Sequence, residues 1–244
     1  AGIMGGNTTG EKMKILEMAD GSRVFATPLD AYEVATTGVV DGPIEARVNN
    51  LMSPKMINRL GGEACKTERT FGPGGREYIA KEGIDGQELR DARGQGGFTT
   101  EQKLSAQKTM AAAYFVGNGD LHAANVMVTD DEFVVIDHDS AGGYSLNGNH
   151  KIDDIDRFAS MLDNPFDQDN REMIFDNARD IKNNEVDLSG IGEDRKLFAD
   201  LAADKALRVA AMDDDYDLPE DEYPEEMQLL DGFEDTDNWQ EKGD

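Results

Sequence analysis

The sequence predicts an α+β chain in which short antiparallel strands come first and helices dominate afterwards. Two β-type runs near the start, residues 11–18 and 23–27, flank Ala19-Asp20-Gly21-Ser22, whose Asp-Gly pair suits a hairpin turn. Apolar residues take up helical spacing from residue 43 and do so again, over longer runs, beyond residue 99. Val126-Met127-Val128 and Val134-Val135-Ile136 read as two more short strands joined by Thr129-Asp130-Asp131-Glu132. With 244 residues and 38% hydrophobic content the chain can bury one substantial core, or two lobes sharing a cleft.

Taken in order, Gly5-Gly6-Asn7-Thr8-Thr9-Gly10 forms a glycine-containing turn ahead of the first strand. Pro43 opens a helix over 43–52, with Ile44, Val48 and Leu51 on one face. Gly61-Gly62 and Gly72-Pro73-Gly74-Gly75 make residues 53–75 turns and short strands rather than a continued helix. A hydrophobic strand near Tyr78-Ile79-Ala80-Lys81 is followed by Gly83, Gly86 and a short polar helix. Thr99 and Gln102 fit a capping box for a helix through Leu104, Met110, Ala111, Ala112, Tyr114 and Phe115. Further helices are expected over 153–162, 168–183 and 193–212, the last with Leu197, Leu201, Ala206, Leu207 and Val209 as its buried stripe. From Asp213 the chain is acidic to Asp244 and expected to be disordered or draped on a partner; Met227, Leu229, Leu230, Phe233 and Trp239 among the acids suit a docking peptide.

Charge narrows the setting. Asp and Glu number 51 against 24 Lys plus Arg, a formal charge of −27 that repels nucleic-acid phosphates and anionic membranes, so neither is an expected partner. Acid spread along the whole chain matches the bias of extreme halophiles; a mesophilic acidic protein is the alternative. The single Cys65 excludes an internal disulfide and suits a reducing, cytoplasmic compartment or a virus particle. No apolar run approaches the ~20 residues of a membrane span, and no signal peptide is visible.

The chemistry concentrates in Gly119-Asp120-Leu121-His122-Ala123-Ala124-Asn125, followed by Asp137 at the end of a Val-Val-Ile strand. An acid at the start of a loop, an amide five residues on and a second acid at a strand end are what phosphoryl transfer from a nucleotide needs. Asp120 accepts the proton of an attacking hydroxyl, and Asn125 and Asp137 offer hard oxygens to magnesium. An ordinary hairpin with Asp and Asn as turn formers is the plain alternative, but turn chemistry does not account for Asp120 with Asn125, nor for an acid ending an apolar strand.

These residues resemble the catalytic loop and metal-binding strand of the protein-kinase-like superfamily, and the Gly-Asp-Leu-His form is closest to aminoglycoside phosphotransferases and atypical kinases. The resemblance covers residues 1 to about 165. It implies a two-lobed fold, with a small antiparallel-sheet lobe over 1–80, a mostly helical lobe over 81–212 and the acidic tail over 213–244. It implies ATP and Mg2+ as cofactors, with Gly5, Gly6 and Gly10 over the phosphates and residues 77–91 as the hinge beside the adenine. His122 takes a structural or substrate-side role rather than a metal one. Asp139 is a further metal oxygen or a turn acid, and Asp156 buttresses the catalytic loop.

One departure stands out. The strand lysine that holds the α- and β-phosphates should fall at Thr27, and Glu45, placed where the family's helix glutamate would meet it, has no evident cation. Lys12 and Lys14, beyond Gly10, are the candidate replacements, the plain alternative being that both are solvent-facing lysines on an exposed strand. Lys81 with Gly72-Pro73-Gly74-Gly75 as the phosphate loop is the less favoured alternative, since few residues then separate it from Asp120. Two functions therefore stay open: Mg-dependent phosphoryl transfer from ATP to a hydroxyl of an unassigned small-molecule or protein acceptor, or a pseudokinase, an inactive binding or structural module in a larger assembly or a virus particle.

Overall fold

The computed structural model describes residues 13–30, 43–92, 97–118, 121–138, 141, 170–212, 216, 218 and 219. The fold is α+β, with small antiparallel sheets and several helices, as expected. Strands β1 (Lys14–Glu17) and β2 (Arg23–Pro28) form the first hairpin. Its turn is built by Asp20, whose carboxylate accepts from the Ser22 amide at 2.9 Å and the Ser22 hydroxyl at 2.6 Å, while Gly21 takes a left-handed φ of 86°. Helix α1 (Pro43–Arg59) follows, then β3 (Thr67–Phe71) and β4 (Glu77–Glu82). The sheet order is β1-β2-β4-β3, and every neighbouring pair is antiparallel.

Helix α1 corrects the expectation that the chain breaks into turns after residue 52. It continues to Arg59 with Pro54 inside it. Proline at 54 has no N–H for the carbonyl of Asn50, four residues back. That carbonyl accepts from the Thr67 hydroxyl instead, so the bond that proline removes is replaced by a tie from α1 to β3.

A second, three-stranded sheet has the order β5-β6-β7, from β5 (Gln87–Glu88), β6 (Val126–Val128) and β7 (Phe133–Val135). Short helix α2 (Leu89–Ala92) follows β5, and the long α3 (Thr100–Phe115) leads to the loop before β6. Thr99 and Gln102 form the expected capping box on α3. Helices α4 (Asn170–Lys182) and α5 (Glu193–Ala210) pack on α3 and on each other. The main core gathers Met110, Tyr114, Phe115, Ile174, Phe175, Phe198 and Leu207 with Leu121, Phe133 and Val135. Leu197 and Leu201 were expected in that stripe, but they are exposed; Phe198, Ala202 and Ala206 fill the core instead. Alternation within α5 is set by the small alanines that let it approach its neighbours closely.

Helix α3 fixes the β6–β7 hairpin through one polar face. The Gln102 side chain donates to the Thr129 carbonyl at 2.8 Å, the Ser105 hydroxyl accepts from the Phe133 amide at 3.0 Å, and the Thr109 hydroxyl donates to the Phe133 carbonyl at 3.1 Å. Spacings of three and four residues place these groups along one side of the helix. Strand β7, which leads to Asp137, is therefore held by side chains of α3 as well as by its short ladder with β6.

Candidate functional site

The β6–β7 hairpin divides its side chains between two environments. Val126, Val128, Phe133 and Val135 enter the main core, whereas Met127, Val134 and Ile136 form a separate buried cluster with Cys65, against which Ile84 packs. The end of β7 is gripped on both sides. Val135 pairs with the chain at Glu63 and Cys65 through bonds of 3.0 and 2.9 Å, and the Ile136 amide donates to the Asn125 carbonyl at 3.0 Å. Asn125 is buried and thereby stands next to the residue that precedes Asp137. The Asn118 side-chain amide donates to the Asp137 carbonyl at 3.0 Å.

Lys81 reaches this strand end from β4. Its Nζ lies 3.0 Å from Asp137 Oδ1, with the lysine side chain 9% exposed and the aspartate side chain 35% exposed. The register explains the reach. Lys81 stands between Phe25 of β2 and Thr67 of β3, and with Ile79 two residues earlier it shares the face that packs toward Leu51 of α1. Its stem is therefore sequestered, and a buried ammonium requires a partner. The carboxylate of Asp137 is one, and its open side faces solvent.

Between the end of the first sheet and the hairpin lies a slot of about 180 Å3. Phe25, Ile84, Met127 and Ile136 supply its apolar lining, and residues 82–86 its edge. Two glycines allow that edge to run so close. A Cβ on Gly83 would stand 2.7 Å from the Arg23 carbonyl oxygen, and one on Gly86 2.4 Å from that of Val128. Burial pushes the His138 imidazole down to about 3, helped by the nearby Lys81 charge, so the ring is neutral. Burial pushes the Cys65 thiol up to about 12, so it is an inert core group. Lys81 and Asp137 thus pair beside two uncharged groups, His138 and Cys65, while the ionisable side chains Arg23, Glu82, Asp85 and Glu88 line the slot itself.

Among the sequence candidates, Asn125 is tied through its backbone to Ile136, the residue before Asp137, and Asp120, Gly5, Gly6, Gly10, Lys12, Asp139 and Asp156 lie outside the described residues, as does nearly all of the acidic tail. Lys14 does not approach Asp137. It pairs with Ala26 in the row of the sheet whose side chains alternate away from Phe25 and Lys81, and its amine donates to the Tyr78 hydroxyl at 3.0 Å. Thr27 lies opposite Ile79, two residues beyond Phe25 on the Lys81 face. Glu45 falls in α1, its side chain outside the described set. His122 is exposed, with Nδ1 accepting from the Ala124 amide at 3.2 Å, a local turn contact.

Of the candidate cations among the described residues, Lys81, the less favoured one in the sequence, is the one brought to the acid. Its proposed companion loop is not: Gly72-Pro73-Gly74-Gly75 turns between β3 and β4 at the Phe71–Glu77 end, and four strand residues put it ~13 Å from Lys81. Asn118 was missed altogether. Its only signal was a buried-type polar residue immediately before the catalytic-loop motif.

Comparison with models of known protein families gives no match, and comparison with curated proteins gives none. Among the described residues no helix is long and apolar enough to cross a membrane, and no three or more His, Cys, Asp or Glu side chains gather as a metal cage.

Proposed function

We propose that this chain is a kinase-like nucleotide-binding protein that transfers a phosphoryl group from ATP, with magnesium, to a hydroxyl acceptor. The observation that carries the reading is the Lys81–Asp137 ion pair, which follows directly on Ile136, a lining residue of the slot, with Asn125 tied through its backbone carbonyl to the Ile136 amide. A flat heteroaromatic ring suits a slot lined by Phe25, Ile84, Met127 and Ile136. Magnesium at phosphate sites is held by one or two protein oxygens together with substrate oxygens, and the donor set of Asp137 and Asn125 fits that demand. Bound there, the metal supplies charge neutralisation for the phosphates. In this reading the four-stranded sheet with α1 is the smaller lobe, and α3, α4 and α5 belong to the larger one. Asp120, from its motif position, accepts the acceptor's proton.

The chain's own part is positioning. Gln102, Ser105 and Thr109 hold the hairpin, Asn118 and the 63–65 segment hold the strand end, and the Asp137 carboxylate is left with one side toward solvent. A binding module that retains nucleotide without transferring phosphate is the second reading, favoured by Thr27 where a strand lysine is expected.

The test is ATP turnover, in low and in multimolar salt, by the parent and by Asp120→Asn. Turnover by the parent that falls by about a hundredfold or more in the variant supports transfer, the usual scale for a general base. Nucleotide binding without turnover in the parent establishes the second reading.

A further inference from the structure

The contact between Lys81 and Asp137 joins the two groups that a magnesium nucleotide must engage separately. We infer that Lys81 is a latch on Asp137: the ammonium occupies the carboxylate until nucleotide phosphates draw it away, so metal and nucleotide bind with positive cooperativity. This rests on the nucleotide reading above and adds to it which strand supplies the phosphate cation and how metal entry is controlled.

Three observations lead here. Lys81 is buried along its stem between Phe25 and Thr67, so its ammonium has little freedom to retreat into water and must exchange one anionic partner for another. Asp137 is anchored through its backbone by Asn118, so the carboxylate stays in place when the lysine leaves. The β2 position one row along is Thr27, and Lys14 is engaged with Tyr78 on the opposite face, so neither supplies the charge at Asp137. A carboxylate already neutralised by an ammonium at 3.0 Å attracts a divalent cation poorly. A polyphosphate offers the ammonium more negative charge than one carboxylate does. Once it pairs with the phosphates, Asp137 recovers its full charge for the metal. By linkage, each ligand then strengthens the other by the same factor.

The prediction has opposite signs for the two ligands, which a merely structural lysine would not produce. Binding of Mn2+ alone, followed by its electron paramagnetic resonance signal, and binding of a fluorescent ATP analogue without metal are measured in the parent, Lys81→Gln and Lys81→Arg, each checked for cooperative melting. Lys81→Gln is expected to bind Mn2+ alone about tenfold more tightly and metal-free nucleotide about tenfold more weakly, the loss of one charge-assisted contact. Lys81→Arg keeps the charge and is expected to retain weak Mn2+ binding. Unchanged Mn2+ and nucleotide affinities in a folded Lys81→Gln overturn the latch while leaving the nucleotide site standing. No nucleotide binding by the parent at any salt concentration overturns the site itself.

Discussion

The Thr67 hydroxyl donates to the Asn50 carbonyl, the acceptor that Pro54 leaves without its helical partner. Asn50 is fully buried, so the carbonyl has no recourse to water if that hydroxyl is removed. Thr67→Val is expected to cost about 1–3 kcal/mol, the penalty for an unsatisfied buried acceptor. In a Pro54→Ala background the new amide at 54 satisfies the same carbonyl, and Thr67→Val should cost clearly less. Chemical denaturation of the four proteins checks this; equal costs in both backgrounds would sever the link between the proline and the threonine.

His138 makes the fold acid-sensitive. Its imidazole is held neutral down to about 3 by burial, whereas in the unfolded chain it takes a proton near its ordinary value of 6.5. Between those values the unfolded state binds more protons, so stability falls as pH drops, by up to about 1.4 kcal/mol per pH unit from this group. Glu63 and Asp180, whose carboxyls burial raises, act in the opposite sense as pH falls through the carboxylate range. The measurement is therefore the difference between parent and His138→Leu from pH 7 to 5. The parent should lose stability more steeply; parallel curves would mean that the ring takes up its proton in the fold as readily as in the unfolded chain.

The slot depends on a glycine at 86. Gly86→Ala places a Cβ 2.4 Å from the Val128 carbonyl oxygen and 3.0 Å from its carbon, backbone atoms that cannot step aside as a side-chain end would. A loss of about 1–3 kcal/mol is expected, with weaker nucleotide binding. Gly97→Ala, where a Cβ meets nothing within 4 Å, serves as the control and should melt with the parent. Equal melting of both variants would mean that the 83–86 segment is not packed as tightly as described.

Much of the scaffold was legible because it is written locally. The Asp20–Gly21 turn, the Thr99–Gln102 box and the alternating Val126–Val128 and Phe133–Val135 strands are each specified by a few adjacent residues. What failed depended on partners far away in sequence. The carbonyl that Pro54 frees is met by the Thr67 hydroxyl, and no local rule contains that partner. Likewise Leu197 and Leu201 fit a buried stripe by spacing alone, but the side of α5 that is covered is decided by where α3 and α4 lie. At the site, the loop and strand end that carry Asn125 and Asp137 could be placed from the local pattern. Lys81 could only be weighed, because a strand's face toward Asp137 follows from its pairing with Phe25 and Thr67.

The central claim is that Asp137 serves a metal-bound nucleotide, and ATP affinity with and without magnesium tests it most directly, in the parent and in Asp137→Asn. Magnesium should strengthen binding by the parent about tenfold or more and leave the variant unchanged, while the variant, its Lys81 released from the carboxylate, still binds metal-free nucleotide. Equal affinities and equal magnesium dependence in the two proteins would contradict the account.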